Sequence, residues 1–140
     1  MLRAWSVARV RAAEQALLAA LPEGELMGRA AAGLAAVCRV RLSERDGTRV
    51  VALVGPGNNG GDALFALAEL AEGGAQCQVL RGSWPLHAAG LAAAQAAGVE
   101  VLQPSDAWLA ALHAADLVVD GVLGIGGRPG LPDGRSTLTT

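Results

Sequence analysis

The chain has 140 residues, enough for one domain with a real core but short for a complete dinucleotide-binding fold. A formal charge of −2 leaves no basic footprint for nucleic acid. No charge-free apolar run approaches the roughly 18 residues that a membrane helix needs, so no membrane span is expected.

Arg3, Arg9 and Arg11 give the start a faint likeness to a transit peptide. Val7, Val10, Leu17 and Leu21 nevertheless recur at helical spacing, which predicts a first helix of the domain. Leu26, Met27, Ala30, Leu34 and Val37 mark a second. A charged segment containing Gly47 leads into an apolar strand, Val50–Val54. An Ala/Leu-rich helix is expected from Gly60 to Glu72, stopped by Gly73-Gly74. Gln76–Leu80 reads as a strand, His87–Ala97 as a helix and Val99–Leu102 as a short strand. Ser105 can cap a helix through His113, and Asp116–Asp120 is the fourth strand. Residues 131–140 have no periodicity and read as an irregular tail.

Short apolar strands alternating with helices predict an α/β fold: a Rossmann-like parallel sheet in a three-layer α/β/α sandwich, preceded by two helices. Residues 1–140 form a single, partial domain in this reading, incomplete on the C-terminal side because the fourth strand is left as an edge. Right-handed crossovers give the strand order 3-2-1-4. The crevice then lies at the carboxyl ends of strands one and four.

Polar residues converge there. Gly55, Gly57 and Gly60 form a G-x-G-x-x-G turn between strand and helix, where glycine lets a phosphate approach free backbone N–H groups. Asn58 and Asn59 are not needed by a plain dinucleotide turn, and their side-chain oxygens can ligate a hard cation. Asp62 is expected at the start of the helix, where an acid complements the dipole. Asp120 closes the fourth strand, and a carboxylate buried there needs a partner or an ion. Neutral oxygens with one carboxylate suit a monovalent ion better than a divalent one. A second glycine-rich loop follows: Gly124, Ile125, Gly126, Gly127, Arg128, Pro129 and Gly130. The end of the second strand offers Arg81 in place of the acid that binds a dinucleotide ribose, which disfavours a conventional dehydrogenase. His87 and His113, near helix ends, read as surface residues, and Trp5, Trp84 and Trp108 as packing residues. Cys38 and Cys77 are too scattered for a disulfide framework and read as core thiols of a cytoplasmic protein.

Gly-Pro-Gly-Asn-Asn-Gly-Gly-Asp after a strand, with Val-Val-Asp-Gly-Val-Leu-Gly-Ile-Gly further on, resembles the YjeF amino-terminal domain family, the NAD(P)H-hydrate epimerases. Arg11-Ala-Ala-Glu-Gln and Leu26-Met27-Gly28-Arg29-Ala30 also fit, so the resemblance covers about residues 7–130. It implies interconversion of the R and S forms of hydrated NADH and NADPH, a potassium cofactor, and a homodimer in many members. It further implies substrate contacts from Asn58, Asn59, Gly60, Gly61 and Asp62 and from the loop Gly124–Gly130. Potassium would be held by Asn59 and Asp120, and the chemistry would fall to Asp120 and Arg128. An ATP- or ADP-dependent dehydratase, fused in some members, would act on the product. The chain departs from the family at Ala63, where Gly is common, and lacks the family's Asp-x-Pro-Ser-Gly segment, whose Asp and Ser the resemblance implies in the substrate and potassium sites, so its activity is expected to be impaired by truncation. The alternative is a non-catalytic Rossmann-like nucleotide-binding or dimerisation domain.

Overall fold

The computed structural model describes residues 3–125. Helices α1 (Val7–Ala20) and α2 (Glu25–Ser43) precede β1 (Arg49–Val54). Then come α3 (Asn58–Glu72), β2 (Gln76–Arg81), α4 (Ala88–Ala96), β3 (Glu100–Leu102), α5 (Ala107–Ala114) and β4 (Leu117–Gly121). The strands form one parallel sheet in the expected order, β3-β2-β1-β4. The tail 131–140 lies outside the described residues, as do Gly126, Gly127, Arg128, Pro129 and Gly130 of the second loop.

Crossover handedness explains the layers. The chain steps from β1 to β2 to β3 in one direction, so α3 and α4 lie on one face, and the return to β4 carries α5 to the other. Alternation along β1 serves both: Val50, Ala52 and Val54 pack towards α3, while Val51 and Leu53 meet Trp108 and Ala111 of α5. Leu64 and Leu67 of α3, both fully buried, centre the larger core. Helix α3 ends where Gly74 takes φ +101°, a left-handed value, and Ala75 N–H bonds Leu70 O at 3.0 Å.

Two details differ from the sequence reading. Helix α2 buries Ala31, Ala35, Cys38 and Leu42, whereas Val37 is 58% exposed. Small side chains face α3 because the two helices pack closely, so the bulkier valines point outward. Helix α1 forms as expected but buries no residue, and it stands as a wall rather than as part of the core. The Ser105 hydroxyl accepts from Ala107 N–H at 3.3 Å, while Asp106 precedes the helix without a side-chain bond. Cys38 and Cys77 are buried free thiols. Burial, then the neighbouring Cys38, pushes the Cys77 thiol up to about 11, which leaves it protonated and unreactive. Among the described residues, no helix is long and apolar enough to cross a membrane.

The lower end of the β1–β4 pair is clamped by Asp116, whose Oδ2 accepts the N–H groups of Thr48 and Arg49, each at 2.8 Å. These bonds favour the ionised form and hold the Asp116 carboxyl below its ordinary 3.8. A depressed carboxyl stabilises the fold above its unfolded-state pKa, and that stability is lost as pH falls through the folded value. Asp116→Ala should therefore lower Tm at neutral pH, and the gap to wild type should close as pH drops below 3.8. Thermal melts followed by circular dichroism check this; a gap independent of pH contradicts it.

Candidate active site

The turn after β1 is built from missing side chains. Gly55 N–H bonds Gly121 O at 3.0 Å, joining the ends of β1 and β4. A Cβ on Gly55 would strike the Val122 carbonyl, and one on Gly60 would strike the carbonyl oxygen of Gly55. Gly57, at φ +88°, caps the helix from the left-handed region. Its carbonyl accepts Gly61 N–H at 3.1 Å, so the first turn of α3 closes two residues earlier than the sequence suggested. Asn58 and Asn59 therefore occupy that turn, where backbone N–H groups have no partner within the helix. Such a terminus, aimed into a crevice, favours anions.

The loop after β4 comes back over this turn. Gly121 lies against α3 so closely that a Cβ would sit 2.8 Å from Ala63 Cβ. At Gly124 a Cβ would lie 3.2 Å from Asn59 Cβ and 3.6 Å from its Cγ. Asn59 and the start of the second loop are thus brought together. Asp120 is placed differently. It pairs with Leu53 in the sheet, but β4 buries Val119 and Gly121 and turns Val118 and Asp120 to the other face. The carboxylate is exposed, and its Oδ1 accepts Val122 N–H at 3.0 Å. The burial assumed from the sequence is absent, because β4 has only β1 as a strand neighbour among the described residues.

Between α1, α2, the start of α3 and the second loop lies a cleft of about 1140 Å³. Asn58, Asn59 and Asp62 form its floor, Glu14 and Leu18 come from α1, Met27 from α2, and Val122–Ile125 close one side. Arg11 reaches across to donate to Ile125 O at 3.4 Å. Asp62 stands in the second turn of α3, half-buried, not at the helix start. Its carboxyl is pushed above the ordinary 3.8 by burial first and by Glu14 second, with His87 opposing. Glu23, Glu69 and Glu72 also line the cleft, and no arginine does among the described residues.

His87 is the residue that the sequence undersold. It is half-buried in the cleft wall, caps α4 by accepting Gly90 N–H on Nδ1 at 3.1 Å, and meets the Phe65 ring edge-on at 5.9 Å. A Cβ on Gly61 would lie 3.0 Å from its Cγ, so the glycine makes room for the imidazole. The only signal available was position: His87 follows β2 on the same carboxyl side of the sheet as the glycine turn. At the end of β2, Arg81 is half-buried and donates to Trp84 O at 3.1 Å. Trp84 donates from Nε1 to Val54 O at 3.0 Å and packs over Gly82. Trp108 is buried as expected, whereas Trp5 is 62% exposed under the Arg9 guanidinium.

A parallel α/β sheet brings a glycine turn, a helix N-terminus and the start of a second glycine loop together at the switch point, where open sheets of this kind bind ligands. Residues 23–139 match the family described as YjeF-related protein N-terminus, and the chain belongs to that family. It is 50% identical over 126 residues to an NAD(P)H-hydrate epimerase of Clavibacter michiganensis, covering 87% of this chain and 53% of the relative. It is 44% identical over 128 residues to a bifunctional NAD(P)H-hydrate repair enzyme Nnr of Mycobacterium tuberculosis, covering 88% of this chain and 26% of that one. The chain thus spans about half the length of the epimerases it matches first. The crystal structure of the yeast protein ynu0 superposes with a TM-score of 0.81 at 23% identity, over 98% of this chain and 63% of that one, and shares the fold.

The glycine contacts make a direct prediction. Gly60→Ala would push a methyl group into the Gly55 carbonyl, a backbone atom that cannot swing aside. Overpacking of this kind costs about 1–3 kcal/mol. Urea unfolding should show a lower midpoint with an unchanged slope; wild-type stability would contradict the close seat of α3 on β1.

Proposed function

We propose that the chain interconverts the R and S epimers of hydrated NADH and NADPH, repairing damaged nicotinamide nucleotides. The observation that carries this reading is the junction of Asn58-Asn59-Gly60-Gly61-Asp62 with the loop starting at Gly124, over a cleft at the carboxyl ends of β1 and β4. Backbone N–H groups around Gly57–Gly61 would hold the substrate's pyrophosphate, with Asn58 and Asp62 reaching its nicotinamide half. The second substrate loop would be Gly124, Ile125, Gly126, Gly127, Arg128, Pro129 and Gly130. Arg128 would supply a positive charge that the described cleft lining lacks.

Asn59 and Asp120 are the proposed ligands of a potassium ion. The donor set suits it: the pair offers one amide and one carboxylate, and among the described residues no group of three or more His, Cys, Asp or Glu is arranged to hold a metal ion. A divalent ion would want that charge, whereas amide, carbonyl and single carboxylate oxygens suit a monovalent one. Such an ion would position the substrate and offset phosphate charge. It would also occupy the Asp120 oxygens, which leaves the proton step to another group. A cytoplasmic setting agrees with two buried free thiols. The bifunctional relatives support a dehydratase as partner in the same repair, and homodimer formation is part of the same proposal. Against a dehydrogenase stands the end of β2, where Arg81 and Trp84 bond each other in place of a ribose-binding acid.

Asn59→Ala should weaken binding of NADPH hydrate about 10- to 150-fold, the value of one contact to a charged group, about 1.5–3 kcal/mol. Titration calorimetry measures this, with Tm confirming the fold. Wild-type affinity should be higher in potassium than in tetramethylammonium at equal ionic strength. Equal affinity of wild type and variant removes Asn59 from the site, and indifference to the cation removes the ion.

A further inference from the structure

We infer that Asp62 is the proton-carrying base of the site and that His87 is its hydrogen-bond donor to the reacting oxygen, an assignment that rests on the epimerase reading. Both side chains line the cleft at the start of α3, on either side of Gly61, whose lack of a Cβ lets the imidazole approach the helix. The Gly90 N–H held by Nδ1 fixes the tautomer. A ring nitrogen that accepts carries no proton, so in neutral His87 the hydrogen is on Nε2. No group among the described residues bonds Nε2, which makes it the one ring atom available to a molecule in the cleft. Phe65 against the ring and the cap on α4 hold this donor in place before any ligand arrives.

Asp62 complements it. No hydrogen bond or ion pair among the described residues occupies its carboxylate. Burial and the Glu14 carboxylate on α1 make it more basic than a free aspartate, with His87 before α4 opposing them. Glu23, Glu69 and Glu72 complete the titratable lining of the cleft; Glu69 is paired with Arg39 of α2, and Arg11 of α1 donates to the Ile125 carbonyl at its edge. A stronger carboxylate base nearer to neutrality is better matched to moving a proton.

The substrate carries a hydroxyl on the ring carbon beside the ring nitrogen, and one base is enough to epimerise such a centre. The Asp62 carboxylate takes the hydroxyl proton, the oxygen's electron pair forms a carbonyl, and the carbon–nitrogen bond breaks. The nitrogen keeps that bond's electrons and receives the proton back from Asp62. Rotation about the neighbouring carbon–carbon bond presents the other face of the aldehyde, and the same steps in reverse close the ring. Protons and electrons balance without a co-reactant. The Nε2–H of His87 serves the oxygen throughout, as it changes from hydroxyl to carbonyl.

The test is the rate of equilibration of purified R hydrate by the wild-type chain, Asp62→Asn, His87→Asn and Glu14→Gln, measured across pH by chromatography. Asparagine keeps a side-chain acceptor for the α4 cap while removing the Nε2 donor, so Tm should change little. Asp62→Asn should lose about 10²- to 10⁴-fold in kcat, and His87→Asn about 10²- to 10³-fold. Glu14→Gln should move the acid limb of the wild-type rate profile to lower pH, because the charge that raises Asp62 is gone. A merely structural role would not move that limb, and the shift decides the matter if His87→Asn does not fold. Wild-type turnover with full rates in Asp62→Asn or His87→Asn, or an unmoved limb in Glu14→Gln, overturns this assignment and leaves the proposed function standing. A wild-type chain without turnover contradicts the proposed function and takes this assignment with it.

Discussion

The backbone of Gly55 touches three elements at once, and the site exists because nothing larger stands there. Its N–H bonds the end of β4, its Cα lies against the Val122 carbonyl, and its own carbonyl sits beneath Gly60 of α3. Side chains at these positions would hold α3 away from the sheet. With α3 seated, its first turn opens at the crevice, and Gly121 and Gly124 can pack against Ala63 and Asn59. The helix N-terminus, the amide side chains and the second loop are thus positioned by close backbone contact, not by side-chain bonds.

That construction leaves an electrostatic tension. The walls carry Glu14, Glu23, Asp62, Glu69 and Glu72, of which Glu69 is paired with Arg39, while Arg11 is bonded to the Ile125 carbonyl. A phosphate-bearing ligand entering such a cleft must be met by partial charges at the helix terminus, by a bound cation or by Arg128 of the second loop. The potassium proposal therefore has an electrostatic rationale beyond family likeness. Burial first and the Glu14 carboxylate second raise Asp62, with His87 opposing, so the cleft wall that calls for a cation also helps to prepare a base.

The sheet was legible because parallel strands buried on both faces read as short apolar runs, and crossover handedness then fixes their order. The glycine turn was legible for the same local reason, since only close approach explains Gly55, Gly57 and Gly60 together. What escaped was long-range. Val37 looked like a core residue by period, but the close α2–α3 approach selected Ala31, Ala35 and Cys38. Asp120 looked buried at a strand end, yet it is exposed there. His87 and Glu14 gave no local pattern; they matter because β2 and α1 deliver them to the cleft that Asp62 occupies.

The central claim is that this junction of glycine turn, paired asparagines and second loop handles a hydrated nicotinamide nucleotide. The most direct measurement follows a single purified epimer of NADPH hydrate with and without the folded chain in potassium buffer, separating R and S forms by chromatography. The account expects the mixture to reach equilibrium faster with the chain than in buffer alone, in proportion to protein added. An unchanged spontaneous rate in the presence of folded protein would contradict it.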